Sequence, residues 1–406
     1  MIQGDRSGGR PTRRGVLRSG GSILAGGLLA GCTGNPFSST SSTNASQTAN
    51  DSTAPDDSGY SVTMAPMGEV SFESPPKRVF TVFPQYADMA VALGYGDSVN
   101  AVYVPEMSGT TMNHYYDQLD GVSFAWKDLA DPLSDGLSKE LLYNLESDVH
   151  LADPAWASTQ KKWDQSDVQE IQQTLGPWFG SFYSGTHADP PKAYADRYQY
   201  YTLWELFGNV ASVFQEQERY RALKQIYTDL LSTIESGLPP KEERPTAVRV
   251  TLSKDTFWTY HLNRPGYWFA DTRPLGAIDA FADRDWEQLW GKIGYETMVE
   301  ADPDVILHLW GVTPNYQMSD VREKLKNHPV GQQLSAVEND QVYAQGMRYQ
   351  GPIMNLFQLE MTAKQLYPEQ FGEWPGYVDG NPYPEIPASE RLFDRKRVSD
   401  AIAGTD

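Results

Sequence analysis

A single cysteine, Cys32, occurs in 406 residues. No disulfide can form within the chain, and any metal site would need other residue types. Histidine is sparse too. The six are scattered at positions 114, 150, 187, 261, 308 and 328, whereas a bare-ion site needs several imidazoles and carboxylates to converge. No resident metal or cofactor is expected. His150 and His308 fall in apolar runs and read as packed, hydrogen-bonded residues. No apolar run reaches the ~20 residues that span a bilayer. The motifs G-x-S-x-G, G-x-x-x-x-G-K-[S/T] and H-E-x-x-H are all missing, which removes the usual sequence support for a serine hydrolase, a P-loop enzyme or a zinc protease. Positive charge is short: 33 Lys and Arg face 53 Asp and Glu, a formal net charge of −20. Nucleic acid and anionic lipid are therefore disfavoured as partners. The acidic residues are spread along the chain, as on the solvated surface of a halophilic protein.

What is present begins at the N-terminus. "PTRRGVLRSGGSILAGGLLAGC" places Arg13 and Arg14 before a short, glycine-padded apolar stretch that ends at Cys32. A positive segment followed by a short apolar one is an export signal, and paired arginines direct it to the twin-arginine route. "LAGC" resembles a lipobox. Cleavage before Cys32 and a lipid on its thiol are expected, with residues 1–31 as the signal peptide. Without those residues, five Arg and one Asp among them, the chain carries about −24. The Ser/Thr/Asn/Asp-rich stretch that follows cannot bury enough surface to fold and reads as a tether over residues 32–60.

Beyond it, "KRVFTVF" predicts a strand, "QYADMAVALGYGD" a helix stopped by glycine, and "VNAVYV" a second strand, together a parallel βαβ unit. "RPTAVRVTL", from Arg244, opens a second series in the same way. Between them Leu223, Ile226, Tyr227, Leu230, Leu231 and Ile234 follow helical spacing, and Gly237 and Pro239-Pro240 end the helix. The expected fold is α/β: two Rossmann-like lobes joined by one long helix, with a ligand cleft between them. The N-terminal lobe is placed at 61–214, the connecting helix at 215–240, the C-terminal lobe at 241–373 and an extension at 374–406. An internal repeat supports this duplication. "ELLYNLESDVHL" starts at Glu140 and "ETMVEADPDVIL" at Glu296, each with an Asp-Val pair eight residues on, entering an apolar strand.

In this order the segments resemble the substrate-binding lipoproteins of ABC importers for ferric siderophores, cobalamin and haem. The resemblance runs from about residue 66 to 372. It rests on "SPPKRVFTVFPQYADMAVALGYGDSVNAV", "LSKELLYNLESDVHL", "GYETMVEADPDVIL" and "HPVGQQLSAVENDQVYAQGMRYQGP". It implies a monomer, not an enzyme, held by a lipid on the outer face of the cytoplasmic membrane, with an ABC permease and its ATPase as partners. It also implies that Glu140 and Glu296 dock on arginine pockets of the permease, one per lobe. The ligand is expected at the carboxyl ends of the strands, where Tyr86, Tyr103, Trp126, Trp156, Trp258, Tyr260, Trp310 and Tyr349 offer broad aromatic contact. Arg273 and Arg348, with Arg264, are the candidate cations for an anionic chelate. An iron chelate, haem and cobalamin all stay open as ligand. So does a different class, an exported lipid-anchored hydrolase or structural lipoprotein, whose carboxylates would converge in a cleft.

Overall fold

The first described residues alternate. In YSVTM and GEVSF every second side chain is buried (Val62, Met64, Val70, Phe72), the period of a strand with one covered face. They form β1 (Tyr60–Met64) and β2 (Gly68–Phe72), an antiparallel hairpin. The chain is seen in a computed structural model that describes residues 59–286, 289–378 and 380–405. The expected signal peptide, the lipid site at Cys32 and the tether up to residue 58 lie outside the described residues.

β3 (Val79–Thr81), β4 (Val99–Ala101) and β5 (Val149–Leu151) form a parallel sheet in the order β4-β3-β5. Every residue of β3 and β5 is buried, as in a parallel strand covered on both faces. A second sheet is built from β6 (Thr246–Ser253), β7 (Thr256–Tyr260), β8 (Ile278–Asp279), β9 (Trp290–Ile293), β10 (Val305–His308) and β11 (Val342–Ala344). Its order is β11-β10-β6-β7-β9, with β8 also on β6. β8, β10 and β11 run parallel to β6, while β7 and β9 add an antiparallel flank that the sequence reading did not include. The 21-residue helix Gln217–Gly237 lies between the sheets in sequence and buries Leu223, Ile226, Leu230 and Ile234 along one stripe. The architecture is the expected one: two α/β lobes, one long helix.

The repeat in the sequence is a repeat in structure. Helices Lys139–Leu145 and Tyr295–Ala301 each end on a left-handed residue, Glu146 (φ 45°) and Asp302 (φ 36°), and each feeds a buried strand three residues further on. Both repeated aspartates do the same work. Asp148 accepts from the backbone N–H of Lys77 and Arg78, each at 2.8 Å, just ahead of β3. Asp304 accepts from the N–H and hydroxyl of Thr246 at the start of β6, at 2.8 and 2.6 Å. Each carboxylate satisfies strand-end donors and so sets the stagger of two paired strands, β5 against β3 and β10 against β6.

The lobes meet closely. Gly266 has φ +110°, and a Cβ there would lie 2.4 Å from the Gly185 carbonyl oxygen, so only glycine fits. The hydroxyl of Tyr267, from the C-terminal lobe, donates to the Ser181 carbonyl at 3.0 Å. Helix Pro352–Leu366 is buried throughout, and Asp88 of helix Pro84–Ala92 accepts from the Ile353 N–H at 2.9 Å. The segment after residue 374, expected only as an extension, is docked. Tyr383, Ile386, Phe393, Val398 and Ala401 are buried, and Arg395 pairs with Glu360 at 2.7 Å.

Candidate ligand-binding site

The chain beyond β4, the end of β6, β7 and the loops after β10 and β11 border one space. Tyr103 follows β4, and its N–H donates to the Val82 carbonyl at 2.7 Å. Trp310 follows β10 in a left-handed conformation (φ 69°). Its N–H donates to the Gly346 carbonyl at 3.1 Å, and that of Val312 to the Gln345 carbonyl at 3.0 Å. These bonds splice the β10 loop to the β11 loop, which carries Arg348 and Tyr349. The resulting cavity holds about 410 Å³ and is lined by Tyr103, Met107, Thr251, Ser253, Trp258, Tyr260, Trp310, Asn315, Tyr316, Arg348 and Tyr349. Tyr103 and Met107 come from the N-terminal lobe and the rest from the C-terminal lobe. Asn315 Nδ2 donates to Met107 Sδ across the gap at 3.2 Å.

Arg348 is the only charged residue in this lining. Its guanidinium carbon lies 4.7, 4.9 and 5.6 Å from the ring centroids of Trp268, Tyr349 and Trp310, within cation–π range. Nη2 donates to the Tyr349 hydroxyl at 2.9 Å, and among the described residues no carboxylate pairs with it. At the rim Lys292 Nζ lies 4.1 Å from the Trp258 ring centroid. Burial raises the pKa of Tyr103, Tyr260 and Tyr316, so these phenols stay protonated at neutral pH and can donate. The arrangement offers one guanidinium, several hydroxyl donors and flat apolar faces, with no acid–base pair.

Of the ten residues expected to contact ligand, Tyr103, Trp258, Tyr260, Trp310, Arg348 and Tyr349 line the cavity. The other four do not. Tyr86 is buried in the N-terminal lobe, where its oxygen accepts from the Ser181 N–H at 2.7 Å. Trp156 sits one layer back, 5.3 Å from Phe83, which itself packs 4.9 Å from Tyr349. Trp126 covers helix Pro105–Tyr116 at Gly109, where a Cβ would lie 2.0 Å from the indole. Arg273 donates to the carbonyls of Arg264 and Gly266. With Arg264 it lines a larger depression of about 1050 Å³ in the C-terminal lobe alone. That depression has charges of both signs, and the carboxylate at its floor, Asp279, is already bonded by His261, Leu262 and Phe281. Met107, Thr251, Ser253, Asn315 and Tyr316 were missed, and the Trp268 ring beside Arg348 was not singled out. Trp268 lies in the aromatic run "DTFWTYHLNRPGYWF", whereas "TPNYQ" carries only a turn signal.

Glu140 and Glu296 are both exposed, on the first turns of the two repeated helices, and neither has an ion-pair partner among the described residues. His150 and His308 are buried: His150 Nδ1 donates to the Gly176 carbonyl at 3.1 Å, and His308 Nε2 accepts from the Leu252 N–H at 3.1 Å. Among the described residues no three His, Cys, Asp or Glu side chains are placed to hold a metal ion, and no helix is long and apolar enough to cross a membrane.

Two α/β lobes on one long helix, with an aromatic cleft between them, define a two-lobed solute-binding protein. Residues 79–349 match the periplasmic binding protein family, and the chain belongs to that family: the solute-binding, non-enzymatic components of ABC importers. No curated protein matches it in sequence. Among solved structures it is similar to a periplasmic binding protein from Veillonella parvula (17% identity, TM-score 0.54, covering 76% of this chain and 97% of that one). It is similar to the periplasmic catecholate-siderophore binding protein VctP from Vibrio cholerae (13%, 0.51, 76% and 99%). It is also similar to CeuE from Helicobacter pylori, solved with Ni(II) bound (15%, 0.50, 77% and 90%). At such identities the likeness is one of fold.

Proposed function

We propose that this protein captures an anionic metal chelate, a ferric siderophore or a complex of similar build, and hands it to an ABC permease. The observation that carries the reading is the charge of the cleft. In a chain of net charge −20, the described lining holds one guanidinium and no carboxylate. Such a site attracts a negative ligand, and the rings beside it suit flat, partly aromatic ligand faces. The volume of about 410 Å³ favours a compact chelate over a bulky corrinoid. VctP and CeuE, a catecholate-siderophore binder and a Ni(II)-bound protein of this fold, support a metal complex as cargo. In the same reading Cys32 carries a lipid after twin-arginine export, the tether lets the lobes reach the permease, and Glu140 and Glu296 dock on it.

The test is to isolate the protein from the cells that make it and to measure bound metal and the visible spectrum. One iron per chain with a ligand-to-metal charge-transfer band is expected. A Soret band or a corrinoid spectrum would move the ligand to haem or cobalamin. Metal-free protein that fails to respond to added ferric chelates would overturn the reading.

A further inference from the structure

We infer that Gln350 is the positioning residue that holds Arg348 in its binding pose. This rests on the cleft being the ligand site. Gln350 follows Arg348 and Tyr349 in "MRYQGP" and is fully buried. A buried primary amide needs partners on both ends, and Gln350 has them. Its Nε2 donates to Asp271 Oδ1 at 2.9 Å, and its Oε1 accepts from Asn355 Nδ2 at 2.8 Å. Asp271 is gripped by Arg249 of β6 through both oxygens, at 2.9 and 3.2 Å. Arg249 also donates to the Trp268 carbonyl at 3.1 Å. On the far side, Asn355 Oδ1 accepts from Trp204 Nε1 at 3.1 Å, in helix Leu203–Val213.

The network has a consequence at the cleft. Trp268 and Tyr349 are two walls of the cage around the Arg348 guanidinium, and they lie on separate segments of the C-terminal lobe. The Trp268 segment is tied to β6 through Arg249. The Arg348–Tyr349 segment is tied to the same carboxylate only through Gln350. Among the described residues Arg348 has no carboxylate of its own, so ring contacts and the Tyr349 hydroxyl set its position, and both depend on the register of these segments. Gln350 fixes that register. An apolar side chain of similar length at 350 keeps the Arg249–Asp271 pair, so the buried charges stay matched, while Asn355 Nδ2 loses its acceptor.

The experiment is a double-mutant cycle with Gln350→Met and Arg348→Gln. Two probes are titrated by tryptophan quenching: the trianionic ferric tris-catecholate and the uncharged ferric tris-acetohydroxamate. Gln350→Met should weaken the anionic chelate about tenfold, the size of effect seen for groups that orient a contacting ligand, and leave the uncharged one unchanged. In the Arg348→Gln background it should have no further effect. Equal losses for both probes, or additive losses in the cycle, would overturn the inference and leave Gln350 a structural residue. If wild type binds neither probe, the chelate reading fails instead. The crystal structure of Gln350→Met then decides the positioning role: displacement of the guanidinium from the Trp268 face supports it, and an unmoved guanidinium overturns it.

Discussion

Among the described residues Arg348 is held by rings and a hydroxyl, with no carboxylate paired to its charge. The buried histidines show the opposite use of a titratable group. His308 Nε2 accepts from the Leu252 N–H, so the ring must be neutral, and burial lowers its pKa to about 4. The unfolded chain takes up that proton near pH 6.5. Between pH 6.5 and 4 the unfolded state therefore binds more protons, and the contribution of His308 to stability falls as pH falls. Asp88 acts in the reverse sense. Burial raises its pKa to about 7, against the Tyr116 hydroxyl and two helix amides that lower it. Its contribution is present at low pH and is lost as pH rises towards 7. Urea unfolding at pH 7, 5.5 and 4.5 should show the gap between wild type and His308→Gln shrinking on acidification, and that between wild type and Asp88→Asn growing. A gap that stays constant across the series contradicts the assignment for that residue.

At the scale of elements, much of the fold was legible because the strands of both lobes follow proline or an acidic helix end. Asp148 and Asp304 are the clearest case: a spacing of eight in the sequence is one structural joint used twice. The N-terminal hairpin was not legible, since two five-residue alternating runs beside a Ser/Thr-rich stretch carry little signal. The site was legible only in part. Tyr86, Trp156 and Tyr349 all lie near strand ends in the sequence. The N-terminal lobe uses the first two to fill itself, while the third reaches the cleft, a difference decided by packing across segments far apart in the chain. The docked C-terminal segment is the other case. Arg395 is 3% exposed and Glu360 is fully buried, and Glu360 also accepts from the Tyr383 hydroxyl and the Leu392 N–H at 2.6 Å each. Removing one member strands a buried charge, which costs ~3–5 kcal/mol. Arg395→Ala should lose about 3 kcal/mol in denaturant unfolding, and Arg395→Met with Glu360→Gln should recover part of it. A loss below about 0.5 kcal/mol, the range of ordinary surface changes, would mean that the segment is not anchored there.

For the whole molecule, binding and delivery are proposed to fall on different surfaces. The described cleft is lined by aromatics, a few small polar residues and one guanidinium, whereas Glu140 and Glu296 stand exposed on equivalent helices of the two lobes, without an ion-pair partner among the described residues. The duplication that gives each lobe an aspartate for its first strand also gives each lobe a glutamate one helix earlier. One carboxylate per lobe is the proposed two-point contact for a permease with complementary arginines. The most direct test of a capture-and-deliver protein compares Kd with uptake in the double variant Glu140→Ala, Glu296→Ala. Its Kd for the co-purified chelate, followed by tryptophan quenching, should stay within about twofold of wild type, since exposed substitutions usually change energies by under ~0.5 kcal/mol. Uptake of labelled iron by whole cells should fall at least tenfold, because loss of one side of a desolvated charge pair costs ~2–5 kcal/mol in docking. Wild-type uptake by the double variant, or a loss of chelate affinity matching the loss of uptake, would contradict the account.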